Sequence, residues 1–233
     1  MVSHFKCFNE NMKSFFLGLS QNNNKVWFDN NRIIYENEVK IKSQLFVNRM
    51  SELFINNNFP YIADNKHSLY RINRDIRFSK NKDPYKTNLG IFFPYSRSYD
   101  FIRKEFPLGI YIHFEPQRSF ISIGVHNPDS ESLKKVRSYI YNHFEDYESI
   151  IQSSDFKREY PEEITFHKPL TRINGFSKDH PSYEFLKKKE FIYLFRLEDK
   201  VFFSDAFTDF VLEKANYGLD YNNFLYEAVY NTF

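Results

Sequence analysis

Cysteine occurs once, at Cys7, so the chain can form no internal disulfide and can build no multi-cysteine zinc site. That usage suits a reducing cytoplasm. Glycine and proline are also scarce, 6 and 9 among 233 residues, whereas 42% of the chain is hydrophobic and 20% aromatic. Such a chain has ample material for a packed core, which argues against disorder. Charge of either sign is nearly absent in net terms: the formal balance is +2. That is too mild for a protein that coats nucleic acid and leaves only a local basic patch for that purpose.

Long apolar runs are missing too. F-F-L-G-L at residues 15–19 falls far short of the roughly 20 residues that cross a bilayer. Asn9, Glu10, Asn11 and Lys13 interrupt any signal-peptide pattern. The expectation is a cytoplasmic chain, mature from residue 1, with no membrane partner. There is no G-x-G-x-x-G and no Walker loop, so the glycine-rich nucleotide cradles are absent. No H-x-x-x-H occurs, and a metal site drawn from His113, Glu115, His126 and His180 would need separate elements to converge, so no metal is assigned. No cofactor is named by these residues.

What is present is a dense basic stretch from Tyr70 to Gly90. Tyr70, Ile72, Ile76 and Phe78 fall on one side of an extended chain and Arg71, Asn73, Asp75 and Arg77 on the other, with Arg74 breaking the apolar side. After Phe78 the alternation gives way to Ser, Lys, Asn, Asp and Pro84, which is turn chemistry. The pattern predicts a strand presenting guanidinium groups, followed by a cationic loop with Lys80, Lys82, Tyr85 and Lys86. Ser79 and Lys82 form S-x-x-K, and Lys86-Thr87-Asn88 is close to K-T-G, but acyl-enzymes carry those motifs on distant elements.

R-D-I-R-F-S-K-N-K-D-P-Y-K-T-N at residues 74–88 resembles the central motif of a widespread bacterial and fungal family known only as a conserved domain of unknown function. N-N-N-K-V-W-F-D-N-N-R at residues 22–32, Y-I-H-F-E-P at residues 111–116 and G-F-S-K-D-H-P at residues 175–181 are similar to that family as well. The likeness spans nearly the whole chain. It implies a shared fold and brings no activity with it.

In chain order, periodicity predicts a short helix over residues 8–20 and a long one over 25–55, ended by the Asn56 to Pro60 cluster. The long helix carries two apolar ridges, Ile34, Ile41 and Leu45 in one and Val39, Phe46, Met50 and Leu53 in the other. Strands follow at 89–93, 110–115 and 120–125, the last two joined as a hairpin by P-Q-R-S, and residues 95–104 read as a surface excursion. A helix over 131–144 is capped by Asn127 to Ser130, and 145–163 reads as a short helix and loops. A strand at 164–169, a helix capped by Asp179 or His180, a strand at 191–197, a helix stopped by Gly218 and a last helix over 219–231 complete the pattern. With no repeat and no linker, the chain reads as a single α+β domain over 1–233, a mostly antiparallel sheet packed on one face by the long N-terminal helix and further helices.

If the strands share a sheet, its polar face presents Arg71, Asp75, Arg77, His113 and Glu115. Either this is a solvated face with cross-strand ion pairs, or it is the floor of a cleft in which arginines hold an anion and His113, Glu115 or Asp75 moves a proton. Two readings stay open for Trp27 and Arg32 as well: a core anchor with a nearby ion pair, or the wall of a pocket. The leading reading is binding of a phosphorylated or carboxylated small molecule at this strand and loop. A nucleic-acid module, an enzyme acting on a phosphate ester, and a structural protein using the arginines as internal ion-pair struts remain as alternatives.

Overall fold

The structure is a computed structural model that describes residues 8–77, 80–97 and 107–230. Helix α1 (Glu10–Gln21) begins at Asn9, whose side chain accepts a hydrogen bond from the Asn11 amide. It buries Met12, Phe15, Phe16 and Leu19, the spacing that predicted it. The long helix expected next is interrupted. Residues Lys25–Asn30 (α2) and Arg32–Ile34 (α3) run into a π-helical stretch at Tyr35–Ile41, and regular helix resumes at Lys42–Asn56 (α4).

The wider π turns re-phase the helix face. Val39, Phe46, Val47, Met50 and Phe54 are buried, whereas Ile34, Ile41 and Leu45 stand 41%, 45% and 47% exposed. The first of the two predicted ridges therefore faces outward.

Five antiparallel strands form one sheet in the order β1-β2-β3-β5-β4, with β1 at Leu89–Pro94, β2 at Leu108–Phe114, β3 at Ser119–Val125, β4 at Glu162–Ile164 and β5 at Phe191–Leu197. The architecture is α+β, as the pattern predicted. Between β3 and β4 lie α5 (Ser130–Asn142), α6 (Phe144–Gln152) and α7 (Ser154–Glu159), so 145–163 is more helical than its polarity suggested. The short α8 (Tyr183–Leu186) precedes β5, and α9 (Asp199–Phe202), α10 (Phe207–Tyr217) and α11 (Leu219–Tyr230) follow it. Ser182, rather than Asp179 or His180, holds the cap position of α8; Ser182 Oγ is 2.7 Å from His180 Nδ1. Among the described residues no helix is long and apolar enough to cross a membrane.

The sheet has one helical face. Ile91, Phe93, Ile110, Ile112, Phe114, Ile121 and Ile123 are buried beneath the helices. Aromatic contacts make the joint: Phe46 of α4 packs its ring 6.1 Å from Phe93 and 5.4 Å from Phe207, and Phe114 lies 4.5 Å from Phe202. The other face, lined by Gly90, Tyr111, His113, Phe120 and Ser122, carries no helix among the described residues.

The strand expected at 70–78 is not formed. Residues 68–74 lie along the free edge of β1, where the Phe92 amide donates to Ser68 O and the Tyr70 amide to Gly90 O. They then fold against 84–86 through Arg74 N–H to Pro84 O and Lys86 N–H to Ile72 O. Only isolated bridges result, Leu69 with Ile91 and Asn73 with Tyr85. Of the predicted apolar side only Ile72 is buried; Tyr70 and Ile76 are exposed, and Phe78 and Ser79 lie outside the described residues. A charged segment on a sheet edge keeps its side chains in water and does not extend the ladder. Most of the 95–104 excursion also falls outside the described residues, while Tyr95 and Ser96 are buried.

Gly124 lies where β3 meets β5, with φ +107°, and a Cβ there would sit 1.9 Å from Phe191 O. Gly175 also has positive φ, +84°, but a Cβ would meet nothing within 4 Å. Backbone strain alone costs about 1–3 kcal/mol. Gly175→Ala should therefore cost an amount in that range by urea unfolding, and Gly124→Ala distinctly more. Equal costs would show that the β3–β5 contact is not tight.

Candidate functional site

On the uncovered face of the sheet is a cavity of about 610 Å³. This is the size of small-molecule pockets. Its floor is made by outward positions of adjacent strands: Gly90 of β1, Tyr111 and His113 of β2, Phe120 and Ser122 of β3. Glycine at 90 is what leaves room, since a Cβ there would sit 2.8 Å from the Tyr111 hydroxyl. Phe92, Pro107, Ile164 and Ile192 supply apolar wall, and Tyr70, Lys86 and Asn88 close the side formed by the edge segment.

The polar groups converge around His113. Its ring stacks on Phe120 at 4.8 Å and 9°. Nε2 lies 3.4 Å from Glu115 Oε2, and Nδ1 lies 3.1 Å from the Tyr111 hydroxyl and 3.4 Å from Asn88 Nδ2. A carboxylate only accepts, so Nε2 carries the hydrogen; Nδ1 is then the acceptor for Tyr111 O–H and the Asn88 amide. Burial holds the imidazole below its ordinary value, and Glu115 partly offsets this. Burial also pushes the Tyr111 phenol up.

Lys86 is the cation of this cavity. Its ammonium lies 5.3 Å from the centre of the Tyr70 ring. Among the described residues it has no ion pair and no side-chain hydrogen bond. Burial, followed by the nearby Arg71 and Arg74, holds its amine below the ordinary value.

The other residues singled out from the sequence are placed elsewhere. Arg71 lines a separate, smaller hollow of about 260 Å³ beside the π-helical stretch, together with Tyr35, Lys40 and Gln44. Tyr70 and Asn88 are common walls of both hollows. Asp75 accepts two hydrogen bonds from the Arg77 guanidinium, at 3.0 and 2.7 Å, on the exposed loop, which lowers its carboxyl. Lys80 is exposed, and Lys82 Nζ donates to Ile76 O at 2.9 Å. Tyr85 is structural: its ring stacks on Phe28 at 4.1 Å, and its backbone is clamped by the Asn23 side chain at 3.1 and 3.0 Å. Trp27 packs on Phe15 at 5.6 Å and covers Gly18, while Arg32 pairs with Asp29 at 2.6 Å.

Of the five polar residues expected on one sheet face, His113 and Glu115 lie together on the sheet, Asp75 and Arg77 pair on the exposed loop, and Lys86 lines the same cavity as His113. Tyr111 and Asn88 complete the cluster and were not singled out. A signal for both existed: Tyr111 alternates with His113 and Glu115, and Asn88 with Lys86 and Gly90.

At the far rim, the fully buried Glu190 accepts from the Phe166 amide at 2.6 Å and pairs with His167 Nδ1 at 2.9 Å, and His126 Nδ1 lies 3.1 Å from the same carboxylate. This fixes the 165–167 segment and sets Phe166, 62% exposed, against the cavity. Among the described residues no group of three or more His, Cys, Asp or Glu is placed to hold a metal ion.

The state of His113 is open to measurement. Because its folded value lies below 6.5, the unfolded chain binds the extra proton first, so stability falls as pH drops from 6.5 towards the folded midpoint. An NMR titration should place the His113 midpoint below 6.5, and Glu115→Gln should lower it further. A wild-type midpoint above 6.5, or a rise in the variant, would contradict the assigned contacts.

No curated protein and no solved structure matches the chain. A family model does match, over residues 11–224, and that span includes the sheet, the cavity and the edge segment together. The chain belongs to the family described as Conserved hypothetical protein (DUF2461).

Proposed function

We propose that the protein binds a small molecule that joins an apolar body to one anionic group, carboxylate or phosphate, in the cavity on the outer sheet face. The observation that carries this reading is Lys86: a half-buried ammonium facing a mainly apolar cavity with no carboxylate partner among the described residues. A cation withdrawn from water without a counter-ion is held at a cost that a ligand anion removes. The apolar walls at Phe92, Phe120, Ile164 and Ile192 suit the body of such a ligand, and Asn88 and Tyr111 offer neutral donors beside the charge. The loop first suspected from the sequence is less suited, since Asp75 already occupies the Arg77 fork and the Ile76 carbonyl engages Lys82.

Thermal unfolding against aromatic and branched aliphatic carboxylates and phosphate monoesters tests the proposal. A ligand at about 100 times its dissociation constant stabilises the native state by about 2.7 kcal/mol, a shift of several degrees for a chain of this size. Lys86→Met should leave the ligand-free protein as stable as the wild type or slightly more so, because it removes a desolvated charge, and should abolish the shift. No shift with any compound, or an equal shift in the variant, would overturn the proposal.

A further inference from the structure

Tyr111, His113 and Glu115 stand at successive outward positions of β2 and its end, and each is in contact with the next. A cross-strand ion pair on a wet face would need no such order. Here the imidazole is stacked and half enclosed, one nitrogen is committed to a carboxylate, and the other is an acceptor turned towards two hydrogen-bond donors that both line the cavity. Lys86 and Tyr70 are on the same cavity wall, and the Tyr70 ring lies 5.9 Å from that of Tyr111. A base of fixed tautomer, a rotatable hydroxyl and a cation thus border one largely apolar space.

We infer that the cavity is catalytic and transfers a proton at the carbon next to the carbonyl of an oxo acid, with His113 Nδ1 as the base. The inference rests on the binding reading above and names its substrate class. In the ligand-free protein the Tyr111 O–H occupies Nδ1. A phenol has one hydrogen and can turn it to a ligand oxygen instead, and the Nδ1 lone pair is available once the longer 3.4 Å contact of the Asn88 amide also passes to the ligand. The C–H bond then breaks, its proton passes to Nδ1, and its electron pair becomes the new C=C bond. The carbonyl π pair moves onto oxygen, where Tyr111 O–H and the Lys86 ammonium stabilise the charge. The resulting imidazolium keeps its Nε2–H on Glu115, which acts as a positioning residue. Return of the proton regenerates the acid, so the step needs no oxidant and no cofactor. In deuterated water it appears as exchange of hydrogen for deuterium.

The experiment follows that exchange by proton NMR for pyruvate, 2-oxobutyrate and 3-methyl-2-oxobutanoate, with thermal shifts measured on the same compounds. At least one acid should stabilise the wild type and exchange at least tenfold faster than in buffer. His113→Asn, checked for folding by circular dichroism, should return exchange to the buffer rate. The wild-type rate should rise with pH as His113 loses its proton, and Glu115→Gln should move that rise to lower pH, which a merely structural role would not do. An acid that stabilises the protein but exchanges at the buffer rate overturns the catalytic inference and leaves the binding reading standing. If these acids neither bind nor exchange, while other carboxylates shift the wild type and not Lys86→Met, the inference alone falls. If nothing binds, both fall. Exchange that survives His113→Asn but not Lys86→Met would also overturn it, since that is the mark of imine formation at the lysine.

Discussion

The register of β2 ties the core to the cavity. Ile110, Ile112 and Phe114 point under the helices, which forces Tyr111, His113 and Glu115 to the opposite side. A slip of one residue would exchange the two sets, putting an imidazole and a carboxylate among phenyl rings. The aromatic joint through Phe46, Phe93, Phe114, Phe202 and Phe207 opposes any such slip, because each ring is buried against others of fixed position. The site is therefore held by the part of the molecule furthest from water.

The same constraint explains why the outer face is hollow. Among the described residues helices cover the inner face alone, so the outer face is not filled by side chains from a helical layer. Gly90 leaves space on the floor, and strand residues Phe92, Ile164 and Ile192 share the walls with two segments outside the strands: the edge segment with Tyr70 and Lys86, and the segment pinned by Glu190. Charge is distributed accordingly. Exposed cations such as Arg77 and Arg32 have carboxylates beside them, whereas the more enclosed Lys86 faces the cavity.

Much of this was legible in the sequence, for physical reasons specific to each element. The period-two runs at β2 and β3 mark strands, the short apolar runs at β1 and β5 mark two more, and Phe15, Phe16 and Leu19 mark a helix that packs on one side. The 70–78 segment misled because alternation reports which residues differ in polarity and not whether a partner strand exists. The first ridge of the long helix misled because π turns shift the phase, and no residue type announces them. The cavity itself is a product of register between strands far apart in the chain. Alternation marks Tyr111 and Asn88 as outward positions, and the register that sets Gly90 opposite His113 brings them together. Trp27 and Tyr85, which belong to the best-marked motifs, are used in packing.

The proposed anion site is the cavity at Lys86 and not the exposed basic loop. Lysine side-chain NMR, with 13C at Cε, distinguishes them in one titration with a carboxylate that stabilises the fold. The Lys86 resonance should move and its amine become harder to deprotonate, while Lys80 and Lys82 stay unchanged. Movement confined to Lys80 and Lys82 would contradict it.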